Sequence, residues 1–423
     1  MDAADIHLRT RAYVGLLLIV GGIAVGIALA TLAFLGAYSG LRDLVWEELP
    51  DALGVDDPYS WYALCVTTLG GLAVGLLLHV VPGHGGPGPA EGHGIGMEQV
   101  PISHTVGMVV VSLVSLTAGA SLGPEAALLA VALAVGSLLA VRLRRAELER
   151  VFGLSGVGSL LAGLFGSPLA PAVMTLEVTK VTGHNLYVFL VPVLVASAIG
   201  LLTFEAILNG PLLEISLPAY AGVELAHVLE ALAIAAIAAG VGLLAIATHR
   251  VVRRSLRPLG DRVIVKATLG GVAIGVIALI AGEETLFSGE HELEVLLASP
   301  EAYGVGTLLL ILGGKLVAFA ISLEAGFRGG RIFPVIFIGA TVGFVASGLF
   351  ESVPLAVSVA CGMAGAAVAI MRLPVFVALL VAFFSAPAVI PLVVLACVVG
   401  YVLTFDRPEL GVEPTEEEQA STS

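Results

Sequence analysis

Apolar runs separated by short polar joints recur along almost the whole chain. They fall near residues 13–37, 61–82, 100–119, 125–141, 151–176, 186–208, 224–248, 263–282, 304–323, 332–350, 354–371, 374–386 and 388–404. A helix that crosses the hydrocarbon core of a bilayer needs about 20 such residues. The longer runs therefore predict membrane-spanning helices, and the shorter ones predict half-helices or steeply tilted segments. Pro and Gly punctuate the pattern at Pro82 to Pro89, Gly123-Pro124, Pro168, Gly329-Gly330, Pro334, Pro374, Pro387 and Pro391. Such breaks survive inside a membrane only where the backbone lines a cavity or is buried in protein. The predicted fold is an all-α polytopic membrane protein of tilted and broken helices, with the lipid bilayer as its solvent.

Composition supports that reading. Of the 423 residues, 58% are hydrophobic and 12% charged, with a mean hydropathy of +1.04; a soluble domain carries about 25% charged residues. The 52 glycines favour close helix packing. A net charge of −14 excludes nucleic acid as a partner. The acidic residues concentrate in 43–57, 283–301 and the tail after Asp406, and the basic ones in Arg9/Arg11, Arg142 to Arg150 and Arg250 to Arg262. The positive-inside rule puts the basic joints and both termini in the cytoplasm, the acidic loops outside, and the protein in the cell membrane. The run from Tyr13 to about Ala37 is too long for a signal peptide and reads as a retained helix. Glu413 to Ser423 reads as a short disordered tail that leaves no room for a C-terminal regulatory domain. Cys65, Cys361 and Cys397 are scattered through apolar runs and form neither a disulfide framework nor a zinc pattern.

An internal repeat divides the chain. Leu116-Thr117-Ala118-Gly119-Ala120-Ser121-Leu122-Gly123-Pro124-Glu125 aligns with Leu323-Glu324-Ala325-Gly326-Phe327-Arg328-Gly329-Gly330-Arg331-Ile332, at an offset of 207 residues. Pro168-Leu169-Ala170-Pro171-Ala172-Val173 aligns with Pro374-Val375-Phe376-Val377-Ala378-Leu379, at an offset of 206. The organisation this predicts is an N-terminal segment (1–12), a first membrane repeat (13–210), a linker (211–223), a second repeat (224–405) and an acidic tail (406–423). Interrupted segments at corresponding points of two halves point to a transporter's central site.

The breaks suggest what that site holds. A half-helix starting at membrane depth aims free N–H groups and the positive end of its dipole into the site, which is an anion-binding device. Three starts are available: Gly85-Gly86-Pro87-Gly88-Pro89, Gly123-Pro124-Glu125 and Gly329-Gly330-Arg331-Ile332-Phe333-Pro334. Glu125 is an ionisable group between two apolar runs, and such a group is a functional candidate by default. Its carboxylate can occupy an anion position, compete with a permeant ion, and leave when protonated. The bland alternative is a carboxylate that caps a helix start.

These residues resemble the CLC family of chloride channels and anion/proton exchangers, over nearly all of the membrane region. Gly123-Pro124-Glu125-Ala126-Ala127 looks like the family's G-[RK]-E-G-P motif, with Glu125 at the gating position and departures at Pro124, Ala126 and Ala127. Gly330-Arg331-Ile332-Phe333-Pro334 is similar to G-x-F-x-P, with Phe333 one place later. Gly86-Pro87-Gly88-Pro89 is similar to a shortened G-S-G-I-P, with Pro87 in place of the anion-contacting serine; some plant members with Pro there are linked to nitrate preference. The helix ending in Glu177-Val178 resembles the family's -E-E- or -E-V- helix, whose second position is often the internal proton glutamate of exchangers; Val178 matches the channel branch. Leu410 aligns with an inner-gate tyrosine. The resemblance implies two inverted repeats, a homodimer with one pore per subunit, no cofactor, and backbone anion contacts at Gly86, Pro87, Gly88, Gly123, Pro124, Ala126, Gly330, Arg331, Ile332 and Phe333. Within the family, a voltage-gated chloride channel opened at Glu125 is the expectation, and a proton-coupled exchanger of chloride or another small anion is the alternative.

Other readings compete at single residues. Glu177 has a partner in Lys180 or in a loop N–H. Arg328 and Arg331 attract anions, pair with Glu324, or snorkel to an interface. Lys315 lies mid-run and reads as cavity-facing or paired rather than as a transport residue. Gly119-Ala120-Ser121-Leu122-Gly123 matches the nucleophile elbow of a serine hydrolase, but that motif needs a preceding strand and a base, for which His104 is the nearest candidate; no enzyme and no catalytic residue is expected. His84, Glu91 and His93 lack the further ligands of a metal site.

Overall fold

The computed structural model describes residues 10–81, 102–180, 186–209, 215–220, 222–350, 352–407 and 410. The first half holds α1 (Thr10–Asp43), α2 (Leu49–Leu53), α3 (Trp61–Val80), α4 (Ile102–Thr117), α5 (Glu125–Arg142), α6 (Glu149–Phe165), α7 (Leu169–Thr179) and α8 (Leu186–Leu208). The second holds α9 (Leu225–Leu256), α10 (Val263–Ala281), α11 (Glu290–Ala298), α12 (Val305–Glu324), α13 (Ile332–Leu349), α14 (Leu355–Met371), α15 (Pro374–Phe384) and α16 (Ile390–Thr404). Among the described residues, ten helical stretches are long and apolar enough to cross a membrane, and four apolar helices are shorter. The protein is a multi-pass, all-helical membrane protein.

The repeat extends well beyond the matched motifs. α5 and α13 each have 18 residues, α6 and α14 each have 17, and α7 and α15 each have 11. α6 and α14 are apolar on all sides and buried along nearly their whole length, as a helix must be when it has no water-facing stripe. Glycine sets the helix spacing. At the α3–α10 contact a Cβ on Gly71 would strike the Ala267 carbonyl, and one on Gly271 would strike the Thr67 carbonyl. At the α13–α14 contact Gly339 lies against Gly362, and Gly343 against Ser358. Membrane helices gain contact by this kind of close backbone approach, because lipid supplies no hydrophobic driving force between them.

Three stretches depart from the pattern read in the sequence. The single run at 151–176 is two helices. α6 stops at Gly166, which takes a left-handed φ of 71°, and α7 restarts after Pro168. The acidic stretch 43–57 is not a plain loop. α1 runs on to Asp43, a π-turn covers Leu44–Glu48, and α2 follows with Pro50 in its first turn, where a missing N–H costs nothing. Trp46 anchors this stretch: it is 2% exposed, its indole N–H donates to the Thr117 carbonyl at 2.8 Å, and its ring meets Phe287 edge-on at 5.2 Å. The acidic stretch 283–301 likewise contains α11 and two 3-10 turns.

Lys315 explains how that second stretch is held. It is fully buried in α12, and its ammonium donates to the carbonyls of Glu284 (3.0 Å), Leu286 (2.6 Å) and Phe287 (3.1 Å) while lying 4.8 Å from the Phe337 ring centre. It is therefore a paired lysine whose partners are backbone carbonyls, which use all three of its donors.

Candidate functional site

The two interrupted segments of the repeat meet. Gly123 N–H donates to the Gly330 carbonyl at 2.9 Å and Gly330 N–H donates back to Gly123 at 2.5 Å, forming an antiparallel bridge. These are the two glycines that the sequence alignment sets opposite each other. Ser121 N–H donates to Ser322 Oγ (3.0 Å), and Arg328 N–H donates to Ser115 Oγ (3.0 Å). Backbone groups freed by breaking two helices at depth are thus satisfied across the halves, which is the condition for irregular backbone there.

Glu125 sits at this junction. It is the first residue of α5 and is 1% exposed. One carboxylate oxygen, Oε1, accepts the Phe333 N–H at 3.1 Å, and the N–H groups of Ile332 and of Glu125 itself also act on the carboxylate. The other oxygen, Oε2, is buried without a hydrogen-bond partner. The starts of α5 and α13 therefore converge on one carboxylate, in a place where two helix dipoles favour negative charge. A Cβ on either Gly123 or Gly330 would overlap Oε2, so both residues are glycine because the carboxylate needs the room. Gly330→Ala is expected to destabilise the protein by about 1–3 kcal/mol through overpacking. In a Glu125→Ala background that cost is expected to shrink by about 1 kcal/mol or more. Thermal unfolding of the four proteins of the cycle measures this; additive costs would mean that the carboxylate does not occupy the space.

The remaining residues singled out in the sequence fall in three groups. Pro124 precedes α5 as its cap, and Ala126 is half-buried beside Glu125. Arg331 precedes α13 with its side chain buried and engaged, and Ile332 and Phe333 are buried in that helix's first turn. The Phe333 ring lies 5.3 Å from Phe165 at the end of α6, and Phe165 lies 6.3 Å from Phe376. Phe376 belongs to a second cap: Glu177 accepts the N–H of Val375 at 3.0 Å and of Phe376 at 2.8 Å. Glu177 of α7 thus caps α15, its repeat counterpart, and takes backbone N–H groups rather than Lys180. Val178 is half-buried beside it, and Leu410 is buried. Gly86, Pro87 and Gly88 lie outside the described residues, as do His84, Glu91 and His93.

Ser121 does not form a nucleophile elbow. Helix α4, not a strand, precedes it, and its hydroxyl is buried without a partner. Glu324 meets His249, with Oε1 2.6 Å from Nε2. This pair, with His249 buried and Glu324 half-buried, escapes sequence reading because its members are far apart on α9 and α12.

The acidic stretch 283–301 is visible in the sequence, but not that its carboxylates on α11 are packed against the protein. Glu292 is buried with Oε1 3.9 Å from Arg42, whose guanidinium lies 4.6 Å from the Phe287 ring centre. Gly289, which opens α11, packs on Phe337, one helical turn beyond the Phe333 that grips Glu125. The next residue, Glu290, is pushed up to about 8 by burial first, then by the negative charges of Glu292, Glu125 and Glu294, with Arg42 opposing them. A carboxyl raised in the folded state contributes stability below its ordinary value, and this is lost as pH rises through the folded value. Thermal stability in mild detergent is therefore expected to fall between about pH 4.5 and 8, and to fall less in Glu290→Gln; equal slopes for the two proteins would contradict this.

Comparison with known proteins gives a consistent assignment. A family model described as voltage gated chloride channel matches residues 70–404. A relative in Escherichia coli O17:K52:H18, YfeO, named as an ion-transport protein, is 30% identical over 415 residues, covering 96% of this chain and 97% of the relative. The Escherichia fergusonii protein of the same name is 31% identical over 372 residues, covering 86% and 87%. Among solved structures, a slow cyanobacterial Cl−/H+ antiporter superposes with a TM-score of 0.79 at 19% identity, covering 94% of this chain and 96% of the other. A CLC-type fluoride/proton antiporter superposes at 0.72 with 18% identity, covering 94% and 97%. The last two likenesses establish the fold.

Proposed function

The chain belongs to the voltage gated chloride channel (CLC) family, and from that premise we propose that it conducts a small anion, chloride or a chemical relative, through the junction of its two repeats, with Glu125 as the gate. The observation that carries this reading is the Glu125 carboxylate itself. It is held by backbone N–H groups where two helices start, with one oxygen unpartnered. An anion of similar charge and size competes for the same donors. Protonation removes the charge that holds the side chain there, and the vacated donors then receive the permeant ion. No full positive charge is needed, so the ion is not trapped.

A channel is the first reading, because Val178 stands where proton-coupled relatives often carry a second glutamate. Exchange of an anion for a proton is the second reading. Two fold relatives are named as antiporters, and a carboxylate that leaves its seat on protonation serves either mode. Each subunit of a homodimer would carry its own path, with both termini in the cytoplasm.

Reconstituted vesicles test both readings. Under an imposed gradient of chloride, nitrate or fluoride, the protein is expected to pass at least one anion with a charge movement equal to the anion flux. Proton movement against its own gradient, driven by the anion, would replace the channel with the exchanger. Absence of flux for all three anions would overturn the anion reading altogether.

A further inference from the structure

A groove of about 670 Å³ runs between α1 and α5, away from the junction of the repeats. Its α1 wall is built by Ile19, Gly22, Gly26 and Ala30, which share one helical face, and its α5 wall includes Val135, Leu138 and Arg142. Gly22 and Gly26 supply the depth, since a Cβ added to either meets nothing within 4 Å. Ile19 and Leu138 are exposed on its rims. Both helices are membrane spans, so the occupant comes from the hydrocarbon phase rather than from water.

We propose that this groove binds one anionic phospholipid per subunit, with an acyl chain between α1 and α5 and the headgroup on Arg142. Three features select that chemistry. Every lining residue except Arg142 is apolar or glycine, and the single charge stands at one end. A lipid has the same distribution, with one charged end and hydrocarbon behind it. Arg142, in the last turn of α5, is exposed and has no ion-pair or hydrogen-bond partner among the described residues. It is followed by Arg144 and Arg145, as at the anionic face of a bilayer. The third feature is length. From Ile19 to Ala30 the helix rises by roughly 16 Å at about 1.5 Å per residue, which matches half of a hydrocarbon core about 30 Å thick. The α1 wall of the groove thus has the length of one leaflet. A helix from a second copy would need a matching acidic group at the level of Arg142 and would not be confined to one leaflet.

The inference rests on α1 and α5 alone and is independent of the anion reading, although it puts the ligand on the helix whose first residue is Glu125. Native mass spectrometry tests it on the full chain, purified in mild detergent with equal amounts of phosphatidylglycerol and phosphatidylcholine. One retained lipid per subunit is expected, with phosphatidylglycerol favoured about fivefold, the effect of one basic side chain at a membrane surface. Arg142→Gln should keep the lipid and lose the preference. Gly26→Leu, which places a good helix former in open space, should lose the lipid with Arg142 intact. No retained lipid in the wild type, or a count and preference unchanged by both substitutions, would overturn the proposal. Disulfide cross-linking of Gly26→Cys between two copies would assign the groove to a protein contact and overturn it equally.

Discussion

Glu125→Gln is expected to raise anion flux at neutral pH about tenfold and to remove most of its dependence on pH. Glutamine has nearly the same shape, so the seat is not emptied by size. What changes is charge. A hydrogen bond to an ionised acceptor contributes about 1.5–3 kcal/mol and one to a neutral acceptor about 0.5–1.5. Exchanging the first for the second at the Phe333 N–H loosens the gate by roughly 1.4 kcal/mol, a factor of about ten in the seated population. The unpartnered Oε2 position adds to this, because an amide placed there brings a buried donor with nothing to receive it. In the wild type, acid is expected to bring flux towards the level of the substitution. Flux through vesicles, measured from acid to alkaline pH for both proteins, checks this. Equal flux and an equal pH response would remove Glu125 from the gate.

Lys315→Met is expected to cost about 2–5 kcal/mol, because three buried carbonyls lose their donor at about 1–3 kcal/mol each, offset in part by the burial cost of the ammonium that is removed. Methionine fills similar volume but leaves the carbonyls of Glu284, Leu286 and Phe287 without their shared donor in a site that water does not reach. The damage should spread. Phe287 N–H donates to the Gly119 carbonyl, and Gly119 begins the segment that leads to Glu125. Thermal unfolding in detergent should show a large drop in Tm, and Lys315→Arg should rescue only part of it, because a longer, planar guanidinium does not fit an enclosed site built for three tetrahedral donors. An unchanged Tm in Lys315→Met would show that those carbonyls find other donors.

The sequence carried the centre of this protein further than its edges. The repeat aligns Gly123 with Gly330 as equivalent positions, and the structure adds that the two meet in an antiparallel bridge. Glu125 stands out in the sequence as a lone carboxylate between apolar runs, and the structure buries it where the two repeats meet. Glu177 was legible as a charge but not in its partner: the N–H groups of Val375 and Phe376 lie 198 and 199 residues away and carry no side-chain signature. Lys315 is the same case, since backbone carbonyls leave no mark on residue type. The stretches 43–57 and 283–301 read as plain loops because their acidic composition outweighs buried anchors such as Trp46 and Leu293. The split at Gly166 was obscured by apolar residues on both sides, with only Pro168 to mark it.

The central claim is that the Glu125 carboxylate and the permeant anion share one set of backbone donors. Anomalous scattering from crystals soaked in bromide tests it most directly. In Glu125→Ala, a bromide peak is predicted in the space left by the carboxylate, within hydrogen-bond reach of the N–H groups of Ile332 and Phe333, and the wild type at alkaline pH should show none there. A Glu125→Ala protein that still conducts bromide but holds none at that position would contradict the account.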